Sequence, residues 1–185
     1  MKPTYANPLR RLLAYWIDIT LLYAVLVGLQ FGFVALTGGR INQWITAQHS
    51  GLLTWGWIFV TVSLPMWLYF IMSESGVRQA TLGKLLLGLK VTDLAGRRLT
   101  RGKATLRTFS KLAFFEIGHL SFLFPTPLFD TPDPPFRIGF VILLALMLVY
   151  FVSAAVTARH QSIHDFVVGS VVIRSREDTA QIQAL

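Results

Sequence analysis

Cysteine is absent from all 185 residues, which excludes disulfides, thiolate zinc sites, iron–sulfur clusters and a cysteine nucleophile. Charge is scarce too: 14% of residues are charged against 54% hydrophobic, which argues against a soluble domain. Acids are the scarcer sign, nine Asp and Glu against seventeen Lys and Arg. In so apolar a chain the excess of bases must collect in a few polar segments, a pattern of membrane topology rather than of nucleic-acid binding. There is no internal repeat. The start, Met1 to Ala14, places basic residues before an apolar run, but no small-residue cleavage site follows, so the segment is expected to stay attached.

What is present is long apolar runs. A span needs about 20 apolar residues to cross ~30 Å of hydrocarbon, and four segments are expected to do so: 12–36, 52–72, 104–124 and 138–158. The second and fourth carry no charge, and Trp55, Trp57, Trp67 and Tyr69 form an aromatic belt on the second. The third carries Arg107, Lys111, Glu116 and His119, and charge distribution decides it. With four spans and both termini inside, fifteen of the seventeen bases face the cytoplasm and only Arg40 and Arg137 lie outside. Arg107 and Lys111 are then expected to snorkel to the inner interface.

The expected architecture is an all-α membrane protein, a four-transmembrane-helix bundle with N and C termini cytoplasmic. Residues 1–175 form one membrane domain and 176–185 a flexible tail. The inner loop 73–103 carries a strand-like Leu87 to Asp93, a turn at Ala95-Gly96 and a return strand at Arg98 to Thr100, read as a small cytoplasmic hairpin between helices 2 and 3. Arg159 to Ser175 reads as a surface-lying or partly re-entrant stretch.

Asp18 is the most informative residue, because a carboxylate at acyl-chain depth must be paired, hydrated or protonated. Arg11 lies two turns earlier on nearly the same face, about 10 Å away along the backbone, so a direct pair needs both side chains to lean together or a third group between them. Glu116 and His119, three apart on one face, form a second polar island able to pass protons or to line a hydrated groove. His160, His164 and Asp165 lack a convincing third metal ligand and the HExxH glutamate, so no metal and no cofactor is expected. Thr81-Leu82-Gly83-Lys84 fails as a phosphate loop because Arg78 stands where glycine is needed. Ala24, Gly28 and Gly32 make a small-residue stripe for close helix packing. The basic inner loop, with Arg97, Arg98, Arg101 and Lys103, is expected to attract anionic lipids.

Three stretches, Arg11 to Asp18, Ala80 to Val91 with Asp93 and Gly96, and Ser162-Ile163-His164-Asp165 running to Val172, resemble the RDD family of integral membrane proteins. By that resemblance Arg11 matches the family arginine, Asp18 the first aspartate and Asp165 the second, with Asp93 as rival. The resemblance implies a bacterial inner-membrane protein, and exchange of monovalent cations for protons, reported for some bacterial members. On this expectation Asp18 alternates between proton and cation, Arg11 and Asp165 gate the inner end, and Glu116, His119 and His164 continue the polar path. The competing expectation is a scaffold subunit with Arg11, Asp18 and Asp165 as a buried latch, in a homo-oligomer or larger membrane complex. No nucleophile is evident, so an enzyme is not expected.

Overall fold

The computed structural model describes residues 4–130 and 132–175; the expected tail lies outside them. Helix α1 (Pro8–Thr37) starts where local chemistry says it should: the Asn7 side chain accepts from Leu9 N at 2.8 Å, and Pro8 occupies the first turn. It ends at Gly38 in the left-handed conformation. Thirty residues give a helix of about 45 Å, longer than the ~30 Å hydrocarbon layer. The surplus at its start carries Arg11 and leaves Asp18 near the edge of the apolar zone.

A short helix α2 (Arg40–Ala47) fills the connection between the first two spans. The second span runs from Gly51 to Ser75 as α3 (Gly51–Ile58) and α4 (Leu64–Ser75), joined by a π-helical turn at Phe59–Ser63. Pro65 lacks an N–H and its ring would strike the Thr61 carbonyl, so the helix widens just ahead of it. A five-residue helix α5 (Leu82–Leu86) and strand β1 (Leu89–Asp93) follow, then α6 (Arg101–Leu123), α7 (Ile138–Val156), α8 (Ile163–Val168) and β2 (Ser170–Arg174). Four helices are long and apolar enough to cross a membrane, including the charged third segment. Their outward faces expose Leu29, Phe31, Leu144 and Leu148, as lipid contact requires.

Two expectations are corrected. No local hairpin forms: β1 pairs antiparallel with β2, Leu89 opposite Arg174 and Asp93 opposite Ser170. The turn at Ala95-Gly96 stands, with Gly96 at φ 78°, but Arg98 to Thr100 form no strand and lead into the Thr100 cap of α6. An Arg-Leu-Thr return strand offers one apolar side chain, whereas the valine-rich β2 lets Leu89, Val91 and Val172 close a core with Ala6, Ala14, Leu99 and Ala104. For the same reason Arg159 to Ser175 is no surface-lying stretch. Gln161, Ser162, His164, Asp165, Val168 and Ser170 to Val172 are buried, with α8 packed on α6. Both described ends meet here, since Ala6 N donates to Val172 O and Arg174 N to Thr4 O.

Candidate functional site: a buried ionic chain beside the two-stranded sheet

Asp18 is 1% exposed and saturated by donors. Its Oδ1 accepts from Tyr69 Oη at 2.8 Å and Gly83 N at 2.7 Å, and its Oδ2 from Thr81 Oγ1 at 2.5 Å. The contact requires α5 to touch α1, and glycine permits it: a Cβ on Gly83 would sit 2.1 Å from Ala14 O. Three donors of fixed direction compensate the carboxylate's lost hydration, and among the described residues no cation pairs with it.

Arg11 does not approach Asp18, which corrects the expected pair. Its guanidinium donates to the Asp165 carboxylate and to the His160 carbonyl. Asp165 occupies the third position of α8, where its Oδ2 also accepts from Ser162 N at 3.1 Å in a capping box. Its Oδ1 accepts from Arg107 Nη2 at 2.7 Å, Arg107 Nε at 3.0 Å and Ser170 Oγ at 3.0 Å. Despite burial, which opposes ionisation, the guanidiniums of Arg11 and Arg107 hold the Asp165 pKa well below the usual carboxylate value.

Arg107 and Lys111 do not snorkel. Arg107 is 1% exposed and bridges two carboxylates, Asp165 and Glu74. Lys111 Nζ donates to Glu74 Oε1 at 3.3 Å and stands 3.6 Å above the Phe70 ring centroid. Glu74 Oε1 also accepts from Lys84 Nζ at 2.9 Å, and Lys84 reaches Thr81 Oγ1 at 3.4 Å. The polar groups thus form one chain, Asp18 to Thr81 to Lys84 to Glu74 to Arg107 to Asp165 to Arg11, across α1, α4, α5, α6 and α8. Internal partners replace the water that snorkelling would have recovered.

Glu74, the hub, escaped the sequence reading because it was assigned to the loop after the second span. A signal was there: Met66, Phe70 and Glu74, at i, i+4 and i+8, share the buried face of α4. Lys84, set aside with the failed phosphate loop, is the second residue missed. Asp93 stays apart. It accepts from Ala95 N at 2.9 Å, Arg97 N at 2.8 Å and Arg97 Nε at 3.1 Å, and those donors lower its pKa, led by the Arg97 N–H.

His164 lies against the chain, its Nε2 3.7 Å from Asp165 Oδ1, its Nδ1 buried without a hydrogen-bond partner, and its ring stacked on Tyr150 at 5.6 Å. Burial, reinforced by Arg107, Arg11 and Lys111, pushes its pKa well below the ordinary imidazole value despite the opposing Asp165 charge. His160 sits at φ 51° before α8, so the two histidines share no helix. Among the described residues no group of three metal-ligand side chains exists.

Glu116 and His119 do meet, at 3.2 Å, and Glu116 accepts from Trp55 Nε1 at 3.0 Å. They line a cavity of about 50 Å³ with Tyr23, Ser63 and Trp67. Tyr15 and Phe115, stacked at 6.4 Å, border both this cavity and a larger one beside the ionic chain. The stripe of Ala24, Gly28 and Gly32 faces outward; a Cβ on Gly28 or Gly32 would meet nothing within 4 Å, so among the described residues no helix packs there.

Four apolar helices around an internal ionic chain define a multi-pass membrane protein. The family model of the RDD family matches residues 5–169, and the chain belongs to that family. No curated protein and no solved structure matches it.

Proposed function

We propose that this is a structural or assembly subunit of the bacterial inner membrane, with the ionic chain as a latch that holds five helices in register and the lipid-facing surfaces free for docking a larger complex. One observation carries the reading: Asp18, Glu74 and Asp165 are each saturated by fixed donors. A monovalent cation needs oxygen lone pairs turned toward it, and here the hydroxyl and amide hydrogens around Asp18 are spent on the carboxylate. The positive-inside count supports placing the latched end, with both termini, in the cytoplasm.

Ion-coupled exchange is the second reading, favoured by the two cavities that meet at Tyr15 and Phe115 with Glu116 and His119 in the farther one. The deciding experiment measures proton flux in proteoliposomes on adding sodium, potassium or lithium, alongside melting of the same samples, for wild type and Asp18→Asn. A latch gives no cation-dependent flux in wild type and a lower melting temperature in the variant. Wild-type flux that vanishes in Asp18→Asn with melting unchanged makes the protein an antiporter and overturns the latch.

A further inference from the structure

We infer that the larger cavity is a binding site for the phosphodiester headgroup of an anionic membrane lipid, one whose single negative charge has no ammonium of its own to cancel it. It encloses about 150 Å³ between the start of α1, the middle of α6 and the end of α7. That is on the order of the space a six-membered ring fills, enough for a headgroup phosphate and too little for a whole lipid. Arg11, Lys84, Arg107 and Lys111 all contribute to its wall, whereas Glu74 and Asp165, the carboxylates that hold them, do not. The cations therefore stand between the cavity and their own counter-charges.

Charge sets the ligand's sign. Among the described residues the ionic chain holds four cations, Arg11, Lys84, Arg107 and Lys111, against three carboxylates, Asp18, Glu74 and Asp165, an excess of one positive charge. A phosphodiester, with one negative charge, balances it. Donors remain for it: an ammonium has three N–H groups, and among the described residues Lys111 Nζ donates only to Glu74. His164 also lines the cavity and is 8% exposed, with its Nδ1 lacking any hydrogen-bond partner. An unpartnered buried ring nitrogen and unspent ammonium donors on one cavity wall suit an anionic oxygen.

The apolar wall sets the source. Leu12, Phe114, Met147 and Phe151 line the rest of the cavity, and Leu12 and Phe151 are also exposed on the lipid-facing sides of α1 and α7. A ligand entering through this seam comes sideways out of the bilayer, with its acyl chain along Leu12 and Phe151 and its phosphate toward Lys111. A soluble phosphate shares the head chemistry and gains nothing from that path.

The test titrates the full-length protein, in neutral detergent, with phosphatidylglycerol, phosphatidylcholine, glycerol phosphate and inorganic phosphate, reading melting temperature and lipids retained in native mass spectrometry. Phosphatidylglycerol should raise the melting temperature and one molecule should stay bound, at least tenfold tighter than either water-soluble phosphate or phosphatidylcholine. Lys111→Gln should weaken binding about tenfold. Met147→Trp, which narrows the apolar wall and removes no ionic contact, should weaken it in protein that still melts cooperatively. Equal binding of phosphatidylcholine overturns the charge argument, binding of inorganic phosphate as tight as that of the lipid overturns the lipid source, and wild-type affinity in a folded Met147→Trp protein overturns the site.

Discussion

The two polar regions of this membrane domain solve the same problem in opposite ways. At the end where Thr4 and Arg174 pair, the ionic chain gathers seven charged side chains, and each carboxylate has three or more donors drawn from different elements. Farther along the bundle, Glu116 and His119 stand as a partly exposed pair, with the Trp55 indole and the Ser63 hydroxyl as the other partners of Glu116. Many fixed donors make a charge permanent, since moving it would strand several partners at once. A pair beside a small cavity strands fewer partners when it shifts. The contrast assigns rigidity to the first region and leaves adaptability to the second.

Breaking the hub should separate the regions most sharply. Glu74→Gln leaves Arg107, Lys84 and Lys111 short of a counter-charge, and a loss of about 3–5 kcal/mol is expected for a buried pair that loses one partner; denaturation in detergent checks it. A loss below that of Glu116→Gln would invert the comparison. Next comes Gly83→Ala, whose added methyl strikes Ala14 O and should cost about 1–3 kcal/mol as an overpacked contact, read as a lower melting temperature.

Acid should act on the same end. His164 has a depressed pKa in the fold, so the unfolded chain takes its proton first and stability falls as pH drops below the unfolded value of about 6.5. Asp165, also depressed, adds stability above its unfolded value of about 3.9 that is lost as pH falls further toward its folded value. In His164→Gln the decline that starts near neutrality should vanish and the one in strong acid remain; melting curves across pH distinguish the two. The smallest effect is expected at Glu116→Gln, about 1 kcal/mol or less for one weakened hydrogen-bond set, with no change in the acid profile of the ionic chain.

The legible parts of the sequence were the additive ones. Four spans emerge from hydropathy, and the third, with Arg107 and Lys111 in it, was settled by charge counting. The strand, expected at Leu87 to Asp93, follows from a local pattern and forms at Leu89–Asp93. The need to bury and satisfy Asp18 was equally visible. Its partners were not: the nearest candidate in sequence was Arg11, and the actual donors come from Tyr69, Thr81 and Gly83. Glu74 hid for a related reason, because one turn beyond a hydropathic run looks like loop until the helix is seen to continue.

By itself, then, the sequence determined that this chain enters a membrane four times and which charged groups it must carry there, because apolar transfer free energy sums locally along each run. Only the tertiary structure decided which charges meet. Arg11 finds Asp165 across 154 residues, and β1 pairs with β2 rather than with its neighbour. Ion pairs and strand ladders form at contact distances of ~3–4 Å, and no spacing along one helix reveals what another helix brings to within that range.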